Sequence, residues 1–248
     1  MIDYSVVTAT YNEAQNILSL LSAIQDALNS TQRTYEILVV DDDSPDGTGA
    51  LVQSAIERNP DIRLLRRVGE RGIGSAYLHG ILASRGRVVC TMDADFSHPP
   101  ASLPQLMGAA ADGSLVLGSR FLRAGDFDTL WYRTLPTRTI NLWHRWLLHT
   151  GLYDHTNGYL ACRRETIDSL LEEGCRLGIR PFDRTLYGLV LATLARRRHI
   201  PVKELPARYV FRTQGETKIK FRRGVALLFE EWLDSLRLLP CRYSLLRP

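Results

Sequence analysis

Asp93 and Asp95 flank Ala94, and this pairing is the feature of the chain best suited to holding a hard cation. Mg²⁺ and Mn²⁺ take oxygen ligands, accept a few protein carboxylates and fill the rest of their shell with water and phosphate oxygens. Two carboxylates one residue apart can approach a single such ion. The same three residues also occur in solvated turns, so position separates the two readings. Here the triplet follows Arg87–Met92, which reads as a buried strand.

A second acidic cluster, Asp41-Asp42-Asp43, closes another apolar run, Glu36–Val40, and leads into Ser44-Pro45-Asp46-Gly47-Thr48. A carboxylate at a strand end can accept hydrogen bonds from a ribose or nucleobase. It can equally belong to a helix entry, with Thr48 the expected cap. Gly69-Glu70-Arg71-Gly72-Ile73-Gly74 spaces its glycines GxxGxG after the third strand, which excludes the dinucleotide-binding fingerprint GxGxxG after the first. Two readings remain: a turn whose backbone lies close to a phosphate or ribose, with Arg71 as an anion contact, or a plain strand-to-helix turn. Arg120, Arg133, Arg138, Arg163, Arg212 and Lys218 are spread over the second half. Guanidinium forks match phosphate geometry, although each of these residues alone is also an ordinary surface charge. His98 reads as a loop residue in preference to a ligand, and no GxSxG nucleophile elbow is present.

Strand and helix patterns alternate around these residues. Strands are predicted at Tyr4–Thr8, Glu36–Val40, Arg63–Arg66 and Arg87–Met92. Between them lie an amphipathic helix with Ile17, Leu21, Ile24 and Leu28 at helical spacing and a helix near Ser75–Ser84. Such alternation implies an α/β fold with a mainly parallel sheet and flanking helices. Apolar runs such as Ile37–Val40 suit strands covered on both faces. Ligands of open sheets bind at the carboxyl ends of the strands, where both acidic clusters fall. The second half is predicted to hold a strand at Leu115–Gly118, an aromatic and basic segment at Trp131–Trp146, and a strand pair at Tyr159–Arg163 and Ala207–Phe211. From about Phe221 to Leu238 a basic amphipathic helix is expected, with Val225, Leu228, Phe229, Trp232 and Leu236 on one face.

The 248 residues suffice for a sizeable core, and 45% apolar with 23% charged residues is an ordinary globular composition. The net charge of +4 suits an anionic ligand or an acidic membrane surface without choosing between them. No recognised nucleic-acid-binding motif accompanies it, and no nucleic-acid partner is expected. Cys90, Cys162, Cys175 and Cys241 lack metal-ligand spacing, and a reducing, cytoplasmic setting is the expectation. The start of the chain, MIDYSVVTATYNEA, has no basic segment leading into a long apolar core. No uncharged run approaches the roughly 20 residues of a membrane helix, so membrane contact is expected to be peripheral, at the cytoplasmic face.

Several short motifs occur in a particular order: Tyr11-Asn12-Glu13, Asp41 through Thr48, Gly72-Ile73-Gly74-Ser75-Ala76-Tyr77, Met92-Asp93-Ala94-Asp95-Phe96-Ser97-His98-Pro99-Pro100 and Gly118-Ser119-Arg120-Phe121. Arg133, Arg138 and Asn141 follow, then Asp154-His155-Thr156-Asn157-Gly158-Tyr159 and Arg212-Thr213-Gln214-Gly215-Glu216-Thr217-Lys218. Over about residues 4–220 this set resembles family 2 glycosyltransferases, and within them the dolichol-phosphate (polyprenol-phosphate) mannose synthases. The resemblance implies a single-domain GT-A fold, taken as residues 1–220; residues 221–248 are expected to form an amphipathic helix and tail, packed on the domain or lying at the membrane surface. It implies an inverting transfer of mannose from GDP-mannose to a polyprenyl phosphate, with Mg²⁺ or Mn²⁺ as cofactor.

By the same resemblance Asp93 and Asp95 hold the metal and, with Ala94, the donor diphosphate. Ala9, Tyr11, Glu13, Asp42, Asp43, Gly72 and Gly74 line the donor. Arg120 and Arg212 join Asp93 and Asp95 as catalytic residues, and Arg120, Arg133, Arg138 and Lys218 take the acceptor phosphate. A transferase using a UDP-glucose or UDP-GlcNAc type donor, or a soluble acceptor, would share the donor motifs; a nucleotide-sugar binder without turnover is a further alternative. The chain departs from the pattern at Ala9, which stands for a proline, at Glu70, which stands for a basic residue, and at Phe211, which stands for an aspartate. Leu186–Leu191 is apolar apart from Gly188 where relatives carry a helical glutamate, and no membrane helix of the kind frequent at the C-terminus of the family is expected in these residues.

Overall fold

The computed structural model describes residues 1–122, 131–182 and 186–207 with Leu236 and Leu238, and residues 131–134 by backbone alone. Strand and helix alternate as β1 (Tyr4–Thr10), α1 (Ile17–Asn29), β2 (Tyr35–Asp41), α2 (Thr48–Ile56), β3 (Ile62–Arg66), α3 (Ile73–Ala83) and β4 (Val88–Asp93). They continue as α4 (Leu103–Ala110), β5 (Leu115–Ser119), α5 (Trp131–Leu148), β6 (Leu160–Arg163), α6 (Arg164–Arg176), α7 (Tyr187–Arg197) and β7 (Val202–Pro206). Among the described residues one seven-stranded sheet forms, in the order β3-β2-β1-β4-β6-β5-β7. Its pairs are parallel except those of β6, which runs antiparallel to β4 and β5.

The expected pairing of Tyr159–Arg163 with Ala207–Phe211 is corrected by this order. Both edges of β6 are occupied by β4 and β5, and the strand beside β5 is β7. β7 escaped the sequence reading because an edge strand is half wet: all five of its residues are only partly buried, and Lys203 and Glu204 interrupt its apolar pattern. Residues 208–211 lie outside the described residues, as does the predicted C-terminal helix apart from Leu236 and Leu238. Leu238 is buried in a cluster with Leu147, Leu148, Leu186 and Leu189.

The long apolar runs arise because helices cover both faces of the sheet. Val6, Ile37, Val39, Cys90 and Val116 face one side, packed with Ile17, Leu20, Leu21, Ile24 and Leu28 of α1 and Leu103, Leu106 and Met107 of α4. Val7, Leu38, Val40, Val89 and Leu117 face the other, with Tyr77 and Ile81 of α3, Ile167 and Leu170 of α6 and Leu191 and Leu194 of α7. Each such fully buried leucine or isoleucine contributes about 1.5–3 kcal/mol relative to exposure. The apolar Leu186–Leu191 stretch therefore leads a buried helix into the core. On α3, a Cβ at Gly80 would lie 2.2 Å from Val7 Cγ1, so glycine is what lets this helix settle on β1. That close approach carries Tyr77, one turn earlier on the same face, down to the end of β4.

Candidate active site

The parallel strands β1, β2 and β4 all end at one edge, where Ala9 is in register with Asp93 and Thr10 with Asp41. A cleft of about 340 Å³ opens there. It gathers Ala9, Tyr11, Glu13, Asp42, Gly72, Asp93, Ala94 and Asp95 of the residues singled out in the sequence, together with Arg71, Ile73 and Ala76. Four chain reversals supply this wall: β1 into α1, β2 into α2, β3 into α3, and the turn after β4.

One oxygen of each paired aspartate is already engaged inside the protein. Asp93 Oδ1 accepts the Tyr77 hydroxyl at 2.6 Å, and Asp95 Oδ1 accepts the Ser97 amide at 3.0 Å. The fully buried Tyr77 ring is tilted against Tyr187 at 5.3 Å between centroids. Burial first, and then the Asp93 charge, pushes the Tyr77 hydroxyl well above the usual tyrosine range, so it stays protonated and donates. His98 holds the same aspartate by its backbone: the Asp93 amide donates to His98 Nδ1 at 2.9 Å, which leaves the proton on Nε2, 2.6 Å from Asn157 Oδ1. His98 lies in the loop after β4 as expected, but stacked on Tyr159 at 4.8 Å and only 2% exposed it is buried there. It is a buried brace for the turn, and Asn157 passes the brace on by donating to the Gly118 carbonyl at 2.8 Å.

Across the cleft, Asp42 is buried and fully committed. Its Oδ1 accepts Arg67 Nε at 2.7 Å, and its Oδ2 accepts the Gly72 amide at 3.0 Å. Arg67, itself 3% exposed, also reaches Ser75 Oγ at 2.9 Å and the Gly72 carbonyl at 3.1 Å. Gly72 has φ of 142°, a backbone that L side chains rarely adopt. The glycine turn is thus tied to β2 through one buried ion pair. The sequence reading missed Arg67; its one signal was a charge directly after an apolar strand. Arg71 lies over the Tyr11 ring, 3.8 Å from its centroid, and closes the rim between the first and third reversals. Glu13 is held by Asn16 Nδ2 at 2.9 Å and donates its own amide to Thr48 Oγ1 at 3.0 Å.

The structure separates other predicted residues from the cleft. Asp43, with φ of 53°, pairs with Arg66 and is not among the residues lining the cleft. Gly74 is buried in the first turn of α3 and does not line the cleft. Thr48 does not cap α2: the preceding position is Gly47, and Asp46 Oδ1 accepts the Thr48 amide at 3.0 Å. Arg120 is not a guanidinium open to phosphate. Its Nε and Nη2 each lie 2.7 Å from an oxygen of the fully buried Asp154. Burial alone would raise Asp154, but the Arg120 charge and hydrogen bonds outweigh it and hold the carboxyl below its usual range.

Arg163 ends the antiparallel β6 beside Val88, at the sheet edge opposite Asp93. Arg138 is exposed on α5, 5.6 Å from the Phe121 ring, and Arg120 lies 5.4 Å from the same ring. The side chains of Arg133, Arg212 and Lys218 lie outside the described residues.

His98 Nε2, the nearest ring nitrogen, lies 3.7 Å from Asp93 Oδ2, and no lysine or arginine among the described residues makes an ion pair with Asp93 or Asp95. Their remaining oxygens border the cleft without a hydrogen bond, and no third His, Cys, Asp or Glu of the described residues completes a metal cluster. This donor set fits a hard cation that draws its other ligands from water and phosphate.

A mainly parallel sheet that gathers paired aspartates, a second acidic cluster and a glycine turn at its strand ends defines an α/β protein with a ligand cleft at the carboxyl edge of the sheet. The chain belongs to glycosyl transferase family 2, which it matches over residues 5–171. It is 34% identical over 220 residues to a dolichol-phosphate mannosyltransferase of Pyrococcus furiosus, a match spanning 87% of this chain and 59% of that protein. The chain thus spans less than two thirds of that relative. A glucosyl-3-phosphoglycerate synthase from Mycobacterium tuberculosis, solved with Mn²⁺, UDP and phosphoglyceric acid, superposes with a TM-score of 0.67 at 18% identity, covering 96% of this chain and 78% of that one. A mannosyltransferase from Pyrobaculum calidifontis, solved with GDP-Man and Mn²⁺, gives 0.58 at 21% identity, covering 97% and 73%. At these identities the likeness defines the fold, the GT-A type of α/β domain.

Proposed function

We propose that this chain transfers mannose from GDP-mannose to a polyprenyl phosphate, with inversion at the sugar and with Mg²⁺ or Mn²⁺ held by Asp93 and Asp95. The observation that carries the reading is the pair of carboxylates bordering the cleft, with which no lysine or arginine among the described residues forms an ion pair. A diphosphate could not enter beside them without a cation between. When bound, that cation stabilises negative charge on the departing nucleoside diphosphate. Tyr11, Glu13, Asp42 and the Gly72 turn would line the nucleoside.

A phosphate monoester acceptor has a second pKa of about 6, so near neutral pH it attacks without a protein base. The chain's task is then alignment and charge neutralisation. Arg138, with Arg133, Arg212 and Lys218, would orient the acceptor phosphate. Arg120 instead serves by fixing Asp154 and Thr156. A lipid acceptor places the protein at a membrane surface, at its cytoplasmic face in this reading. Leu135, Leu142 and Trp146, spaced seven and four residues apart on α5, are exposed apolar residues on one face of that helix, and Arg138 and Arg145 lie on the same element. Residues 221–248, the expected amphipathic helix and tail, would add to this surface.

The Mycobacterium tuberculosis neighbour, with UDP and a soluble acid in its complex, favours a second reading, a UDP-sugar donor or a soluble acceptor. One matrix of assays separates the two: GDP- and UDP-sugars against a short polyprenyl phosphate and small soluble acceptors, with Mn²⁺ and with EDTA, products identified by mass. The expected result is mannosyl polyprenyl phosphate from GDP-mannose, lost with EDTA and in Asp95→Ala. Full turnover by Asp95→Ala in EDTA would exclude the metal role. Co-sedimentation with anionic vesicles that survives Leu142→Glu/Trp146→Glu would exclude α5 as the membrane contact.

A further inference from the structure

We infer that Tyr77 is a positioning residue for the cation site: its hydroxyl fixes the rotation of the Asp93 carboxylate, so that one oxygen is held inside the fold and the other is presented to the cation. The inference rests on the proposal that Asp93 and Asp95 hold a divalent cation. Tyr77 lies on α3, far from the aspartates in sequence, and no spacing argument connects them.

Three observations carry it. The hydroxyl lies 2.6 Å from Asp93 Oδ1, and the side chain is fully buried, so no water takes its place. The ring cannot swing away, because α3 is pressed onto β1 at Gly80 and the ring packs on Tyr187, itself stacked on Phe182 at 5.1 Å. The Tyr187 hydroxyl is anchored in turn, donating to the Gly158 carbonyl at 2.8 Å. Asp93 has its backbone pinned by His98, so rotation about its side chain is the freedom that Tyr77 removes. Asp95 obtains the equivalent constraint from its own turn, through the Ser97 amide. The two ligands are therefore oriented by different means: one by local backbone, the other by a side chain delivered from another helix. A donor to a ligating carboxylate from outside the coordination shell typically changes metal affinity about 10–100-fold when removed.

The test is Mn²⁺ binding in the presence of GDP, followed by electron paramagnetic resonance on wild type, Tyr77→Phe and Asp95→Ala, with thermal unfolding of the same samples. Tyr77→Phe keeps the ring and is expected to bind Mn²⁺ about tenfold more weakly. It should also need correspondingly more Mn²⁺ for half-maximal turnover, with the rate at saturating Mn²⁺ little changed. Replacement of Tyr77 by p-aminophenylalanine, which keeps a donor on the ring, should restore part of the affinity. A purely structural role would lower the melting temperature and the amount of active protein while leaving the Mn²⁺ affinity of the folded fraction unchanged, and that result would overturn the inference. Loss of Mn²⁺ binding in Asp95→Ala but wild-type affinity in Tyr77→Phe overturns the role of Tyr77 alone. Wild-type affinity in both overturns the cation site itself.

Discussion

Arg67 and Asp42 form an ion pair in which both partners are almost wholly shielded from water, with side-chain exposures of 1% and 8%. The second oxygen of Asp42 holds the Gly72 amide, so the pair fastens the glycine turn to the end of β2. Removing one partner of such a pair leaves the other charged and desolvated, at a cost of about 3–5 kcal/mol. Arg67→Met should lose about that much in urea unfolding and bind GDP more weakly. Arg67→Met with Asp42→Asn should regain part of the stability without regaining GDP affinity. A single substitution costing under about 1 kcal/mol would be incompatible with the buried pair.

Arg120 and Arg138 both lie near the Phe121 ring but should behave differently. Arg120→Ala strips the fully buried Asp154 of its guanidinium and should cost about 3–5 kcal/mol by denaturant unfolding. Arg138→Ala changes an exposed charge and should stay within about 0.5 kcal/mol of wild type. Its expected effect is a raised KM for polyprenyl phosphate with GDP-mannose affinity unchanged. An equal loss of stability in both variants would contradict the assignment.

Acid should destabilise the fold in two stages. His155 is pushed down to about 3 by burial first and by its neighbour His144 second. Between there and its unfolded value of about 6.5, the unfolded chain holds a proton that the folded chain refuses. This contribution is intact above about pH 6.5 and declines as pH falls toward the folded value. Asp154, depressed by Arg120 against its burial, contributes above its unfolded pKa of about 3.9 and loses that contribution as pH falls through its lower folded value. The urea midpoint should therefore fall from about pH 6.5 downward and steepen below about pH 4. His155→Gln should flatten the upper limb; an unchanged slope between pH 6 and pH 4 would remove His155 as its source.

Gly80→Ala should destabilise by about 1–3 kcal/mol, since the added methyl meets Val7 Cγ1 at 2.2 Å and Val40 Cγ2 at 2.9 Å in a packed layer. Because α3 carries Tyr77, displacement of the helix should also weaken Mn²⁺ binding. Val7→Ala in the same chain should relieve part of both effects. A melting temperature and Mn²⁺ affinity equal to wild type would show that α3 does not depend on this contact.

Local chemistry was legible in the sequence wherever neighbours along the chain do the work. The alternation of apolar strands with the Ile17, Leu21, Ile24 and Leu28 periodicity determined an α/β fold. The placement of Asp41-Asp42-Asp43 and Asp93-Ala94-Asp95 after two apolar runs determined that both clusters reach the carboxyl edge of a parallel sheet, because parallel strands all end on the same side. What one carboxylate does once there depends on which side chain from elsewhere meets it, and no local pattern encodes that. Asp42 and Asp43 are adjacent and chemically identical, yet one is buried against Arg67 and the other turned out to Arg66. Arg120 looked like a phosphate ligand until the fold supplied Asp154 from 34 residues away. Arg163 was carried to the far edge by the reversed direction of β6. Above all, the sequence determined that Asp93 and Asp95 stand together, whereas only the packing of α3 on β1 decided that Tyr77 holds one of them in place, because that contact joins a helix residue to a strand end 16 residues away and exists only once the two elements are packed.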